Sequence, residues 1–196
     1  MIYQIDQSGK IEQTNLDTII ALSNDKKYTV LLSKKTKRLL QEIFRNQKRP
    51  RMFIYDTFST LITLILLQIK PIQTVFIDQE YQNQESLIKA RILELIKRIH
   101  PSYVPDINFM LVGKSSPAHL LAAKVGIKKI KPDKIIKLGD ITTILWPLKK
   151  IGYSAINGTK GNLTQDWIPG GQKPSRSVSK HYHKKKKKSR RNKSKK

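Results

Sequence analysis

Cysteine is absent from the 196 residues, which excludes disulfides and thiolate zinc sites and points to a reducing, cytoplasmic setting. Acidic residues are scarce: 14 Asp and Glu face 39 Lys and Arg, for a formal net charge of +25. That imbalance favours polyanionic partners. No apolar run reaches the ~20 residues that span a bilayer. The most apolar stretch, Thr57 to Ile69, is about thirteen residues and reads as a buried core helix rather than a membrane span. The N-terminal Met1-Ile2-Tyr3-Gln4-Ile5-Asp6 has neither the basic nor the apolar region of a signal peptide. Gly113-Lys114-Ser115 lacks the upstream glycine of a phosphate-binding loop, so an ATPase is excluded.

What is present is positive charge, and it is concentrated. The last 24 residues, Lys173 to Lys196, hold thirteen basic and no acidic residues, including Lys184, Lys185, Lys186, Lys187, Lys188, Arg190 and Arg191. Such a segment repels itself and is expected to be disordered. Nucleic acid is the partner that fits it best, because each neutralised phosphate releases condensed counterions. An acidic membrane surface would attract it too, but no acylation signal or membrane helix accompanies it. A solubilising or targeting tail is the plain alternative. The first 172 residues keep 26 basic against 14 acidic residues, so the body is a basic docking surface in its own right.

Apolar periodicity predicts one domain over 1–150, a Gly/Pro/Asn-rich linker over 151–172, onto which Trp167 could dock back, and the tail over 173–196. Met1 to Asp6, Thr18 to Leu22 and Tyr28 to Leu32 read as an antiparallel strand meander, with Gly9 at a turn that needs a positive φ. Ser33 then caps a helix with Leu39, Leu40, Ile43 and Phe44 on one face, and Arg49-Pro50-Arg51 breaks it. A second helix covers Phe53 to Gln68 and ends before Pro71. Strands at Thr74 to Asp78 and Ile107 to Val112 alternate with helices at Glu85 to Ile99 and from Ser116-Pro117 to Gly126. Lys134 to Lys137 is a last strand, with Asp140 capping a short helix. Three hairpin strands followed by β–α–β–α predict a mixed α/β sheet whose second half is parallel and flanked by helices.

Two segments carry the candidate chemistry. Tyr3-Gln4-Ile5-Asp6 and Val75-Phe76-Ile77-Asp78 are both apolar strands ending in an aspartate. If these strands are neighbours, Asp6 and Asp78 face each other, and two carboxylates so placed repel unless a cation lies between them. An all-oxygen pair suits Mg²⁺ or Mn²⁺, the metals of assisted phosphodiester hydrolysis. Glu80 is the nearest spare ligand. Ordinary strand-end turn residues would show the same pattern. His119 lies on an apolar helix, as either a core histidine or a ligand and proton carrier.

The order of elements, with aspartates on the first and fourth strands, resembles the ribonuclease H-like superfamily, nearest the Holliday-junction resolvases. Ile5-Asp6-Gln7-Ser8-Gly9 is similar to their first strand and turn, and Ile77-Asp78-Gln79 to the acidic residue and glutamine of their fourth. The family's last helix carries Asp-x-x-Asp-Ala-Leu-Ala, whereas Ser116 to Ala123 here places His119 where an acid is expected. The resemblance implies a ribonuclease H-like fold over roughly residues 1 to 125 and a Mg²⁺-dependent endonuclease. Asp6, Asp78 and Glu80 would hold the metal, with His119 at the catalytic site. The missing acids on the last helix speak for a non-catalytic nucleic-acid-binding adaptor with the same fold.

Lys34, Lys35, Lys37 and Arg38 crowd the first turns of a helix, where cations oppose the macrodipole, and so suggest phosphate contacts. Lys114 before the later helix, and Lys128, Lys129 and Lys131 after it, extend the expected nucleic-acid surface. Neither DNA nor RNA is singled out, and a homodimer stays open. The tail gives the first test. Deleting Lys173 to Lys196 should leave the domain folded and flatten the salt dependence of binding, which for six to ten phosphate contacts is roughly 10³–10⁵ in affinity between 50 and 200 mM salt. An unchanged slope would assign the tail another role.

Overall fold

A computed structural model describes residues 2–147; the expected linker, Trp167 and the basic tail lie outside the described residues. Eleven elements follow one another as β1 (Ile2–Ser8), β2 (Thr18–Ser23), β3 (Lys27–Leu32), α1 (Lys34–Asn46), α2 (Met52–Ile69), β4 (Thr74–Asp78), α3 (Glu85–Ile99), β5 (Asp106–Met110), α4 (Pro117–Gly126), β6 (Lys134–Ile136) and α5 (Leu138–Leu145). They build one six-stranded sheet in the order β5-β4-β1-β2-β3-β6. β1, β2 and β3 pair antiparallel, while β4 joins β1, β5 joins β4 and β6 joins β3 in parallel. The expected meander with a parallel continuation is therefore present.

Strand alternation divides the sheet into two unlike faces. Tyr3, Ile5, Ile20, Leu22, Val30, Leu32, Val75, Ile77 and Ile107 point into the main core, where they meet the buried sides of α1, α2, α3 and α5. On the other face α4 is the one helix that packs among the described residues, with Ala122 and Val125 against Ile19 and Ala21. Asp6 and Asp78, one residue out of phase with Ile5 and Ile77, face the thinly covered side.

α2 is 18 residues long with a mean hydropathy of 1.6, enough by length and composition to cross a membrane, and most of it is buried inside this fold. Its Asp56, almost fully buried, receives the Arg91 guanidinium of α3 at 2.9 Å, with Arg49 at 3.8 Å. Burial raises the Asp56 pKa and the two arginines pull it back. Removing either partner of such a pair leaves a buried charge uncompensated.

Packing corrects the face of one helix: the inward stripe of α1 is Lys37, Leu40 and Phe44, while Leu39 is 43% exposed. Other local expectations stand. Gly126 ends α4, and Lys128, two residues on, takes a left-handed φ of 61°. Asp140 caps α5 from its third position, where its carboxylate accepts the Lys137 N–H. Gly9 has the expected positive φ of 75°, and a Cβ there would meet the Asp17 carbonyl at 2.3 Å.

Lys37 is the largest correction. Its side chain is fully buried, and its Nζ donates to the Lys10 and Gln13 carbonyls at 2.9 and 2.8 Å and to Thr18 Oγ1 at 2.9 Å. It ties the β1–β2 loop to α1 and is not available to phosphate. Lys37→Ala should destabilise the fold by about 2–4 kcal/mol, since it leaves buried oxygens without a donor and opens a cavity. Lys37→Met, which keeps the volume, should cost less. Urea unfolding checks both, and a variant as stable as the parent would show that the loop is held by other contacts.

Candidate metal centre

The site is created by the register of two strands. Gln4 pairs with Phe76 and Ile5 with Ile77, so Asp6 and Asp78 come next, side by side at the carboxyl ends of parallel neighbours. Glu80 lies just beyond β4, and ligand atoms of Asp6, Asp78 and Glu80 all fall within 4.8 Å of one another. Two oxygens on opposite sides of one Mg²⁺ are ~4.2 Å apart, so small side-chain rotations would let the three carboxylates share an ion. The donor set is all hard oxygen, which fits Mg²⁺ or Mn²⁺ and disfavours soft metals.

Neighbouring groups hold the carboxylates in place. Asp78 Oδ1 accepts the Val112 N–H at 2.7 Å, which draws the chain after β5 toward the site. Met110 closes β5, and Val112, which the sequence placed inside that strand, turns away to make this bond. Asp6 Oδ2 lies 3.0 Å from His119 Nδ1. His119 owes its position to Ser116, whose Oγ accepts the His119 N–H at 3.0 Å and so caps α4. Lys10 Nζ stands 4.0 Å from Glu80.

Burial and mutual repulsion make the cluster basic. Asp6 is pushed up to about 6, first by burial and then by Asp78, while His119 pulls it back. Glu80 is pushed up to about 7 by burial, then by Asp78 and Asp6, against Lys10. A cation would remove both causes together.

His119 is neither of the alternatives in pure form. Its side chain is 38% exposed, so it is no core residue, and its ring nitrogen contacts Asp6. α4 carries no acidic residue.

The predicted basic residues are spread out. Lys34, Lys35 and Arg38 are exposed on α1, but Asp17 accepts the Lys34 N–H at 2.7 Å, so the α1 N-terminus already has its carboxylate. Lys37 does not belong with them. Burial pushes it down to about 8, and its three donors are engaged by the loop. Lys114 is exposed between Val112, whose N–H bonds Asp78, and the start of α4. Lys128, Lys129 and Lys131 are exposed beyond the far end of α4. Lys184 to Arg191 lie outside the described residues. The sequence offered no signal for the Val112 N–H, which is a backbone group. Lys10 was visible in the turn after β1 but had no partner until the fold supplied Glu80.

The raised pKa values fix the sign of the pH dependence. In folded protein Asp6 and Glu80 hold protons up to about 6 and 7, whereas in the unfolded chain they lose them near 4. The folded state thus binds more protons in that window, and without metal their contribution to stability falls as pH rises from about 4 to 7. Mn²⁺ or Mg²⁺ should reverse this. At ~100 times its Kd an ion adds about 2.7 kcal/mol near pH 8, and the gain should fade below pH 6 as protons compete. Thermal melts with metal or chelator at the two pH values check this, and a metal effect equal at both would place the ion elsewhere. Comparison of the chain with protein-family models, with curated proteins and with solved structures finds no match, so the reading of this site rests on its own chemistry.

Proposed function

We propose that the chain is a nucleic-acid-binding protein of ribonuclease H-like fold whose acidic cluster supports Mg²⁺- or Mn²⁺-dependent cleavage of the phosphodiester backbone in structured DNA or in RNA. The observation that carries this reading is the convergence of Asp6 on β1, Asp78 at the end of β4 and Glu80 just beyond it, in a chain of net charge +25. Carboxylates so placed repel phosphate on their own; with a divalent ion they attract it. Within the six-stranded order β5-β4-β1-β2-β3-β6, the run from β5 to β3, with β1 at its centre and antiparallel only to β2, supports the fold assignment.

The bound ion would supply Lewis-acid polarisation of a phosphoryl oxygen and a more acidic water. The protein's residues do the positioning. Val112 holds one oxygen of Asp78, and His119 holds one of Asp6. The His119 Nε2 makes no hydrogen bond among the described residues, so that nitrogen can exchange a proton with a bound strand. Lys114, exposed two residues beyond the Val112 that bonds Asp78, would meet a flanking phosphate.

His119 also favours a second reading. A ring at 3.0 Å from Asp6, where the resolvase pattern has another acid, lowers the negative charge available to a second metal. A non-catalytic adaptor that binds nucleic acid through charge would keep the fold and tolerate that change.

Cleavage assays on branched DNA, duplexes and RNA–DNA hybrids with Mg²⁺ or Mn²⁺ separate the two. Asp6→Asn and Asp78→Asn should each reduce cleavage at least ~100-fold and leave binding intact or slightly tighter, since a negative charge facing phosphate is removed. His119→Ala should lower cleavage with little loss of stability. Binding without cleavage by the parent protein on every substrate would establish the adaptor.

A further inference from the structure

A groove of about 480 Å³ lies on the same sheet face as the acidic cluster, between α4, the start of β3 and the segment before β6. Its floor is apolar, from Leu120, Leu121 and Ile130, of which Leu120 and Ile130 are 47% and 43% exposed. Lys27, Lys124 and Lys131 line it as well, and none of them forms an ion pair among the described residues. Its one acid, Asp133, is engaged: Oδ2 accepts both the Thr29 N–H at 2.8 Å and the Thr29 hydroxyl at 2.6 Å.

Register gives the distance to the metal centre. Asp6 pairs with Ala21 and Ala21 with Thr29, all on one row of the sheet. Thr29 is thus two strand spacings, about 10 Å, from Asp6. The first turn of α4 lies between, with Pro117 in the groove lining and His119 on Asp6.

We propose that this groove holds a single-stranded segment of the nucleic acid, its bases on the aliphatic floor and its phosphates on Lys27, Lys124 and Lys131, and thereby selects substrates with an unpaired arm. The inference rests on the nucleic-acid reading above but not on cleavage. A duplex presents only its phosphates to such a surface and leaves Leu120 and Ile130 exposed to water. Unstacked bases bury them. Charge complementarity and continuity with the acidic cluster along α4 single out this occupant.

The test uses the full chain, tail included, in chelator, so that cleavage plays no part. A single-stranded oligonucleotide should bind more tightly than a duplex of equal length. The triple variant Lys27→Gln, Lys124→Gln, Lys131→Gln should lower the single-strand salt slope by about 2, at ~0.7 per lost contact. Leu120→Ser with Ile130→Ser should weaken single-strand binding, keep that slope, and leave duplex binding unchanged. Asp6→Asn should retain the single-strand preference, so inactive chemistry and an empty groove give different results. Photo-crosslinks from a thiouridine oligonucleotide should map to residues 117–131. Equal effects on single strand and duplex, crosslinks confined to the tail, or a poly-glutamate peptide competing as well as the oligonucleotide would overturn the proposal, the last in favour of an acidic protein partner.

Discussion

The parallel pairing of β1 with β4 is the joint on which this structure turns. On one side of β1 the chain forms a local meander that short turns alone can close. On the other side β4 arrives only after two helices and more than forty residues, and its partner β5 after another helix. That contact places β4 and, through it, β5, whereas β6 joins the opposite edge beside β3. A slip of one residue between β1 and β4 would turn Val75 and Ile77 out of the core and the carboxylate of Asp78 into it, so burial specifies the register. The same register sets Asp78 beside Asp6.

The fold therefore builds its acidic cluster against electrostatic resistance. Two full charges 4.8 Å apart repel by about 3.5 kcal/mol at an effective dielectric of ~20. That is a large share of a net stability of ~5–15 kcal/mol. Burial first, and this repulsion second, leave Asp6 and Glu80 holding protons above the usual carboxylate range. Structural demands do not account for it, because asparagine at either position would fill the same space and keep a hydrogen-bond acceptor. A cluster that could hold a cation accounts for all three acids together.

Much of this was legible in order along the chain. The change from two-residue to helical periodicity marks the meander, the helices and the later strands, since those signals come from neighbouring residues. Asp6 and Asp78 could be paired from sequence because both follow apolar strand residues, although β1 runs on to Ser8 instead of ending at Asp6, and Glu80 followed from its nearness to Asp78. Lys37 could not be read correctly. Lysine at the start of a helix looks like a surface charge, and only the fold shows that the loop carbonyls of Lys10 and Gln13 converge where its ammonium lies. Leu39 was misplaced for a related reason: a basic residue occupies the inward position that an apolar pattern would assign elsewhere. The groove was invisible because Lys27, Lys124 and Lys131 come from three separated segments, and β6 brings the last of them to the edge of β3.

If the proposed function holds, charge also orders the events at the cluster. The chain carries 39 basic residues against 14 acidic, a balance that on its own attracts phosphate and repels free divalent ions, while Asp6, Asp78 and Glu80 do the reverse locally. A bare ion would meet the two effects in opposition, whereas an ion already paired with a nucleic-acid backbone would approach with both. Backbone and metal would then be mutually reinforcing partners, since each would lower the repulsion that the other meets.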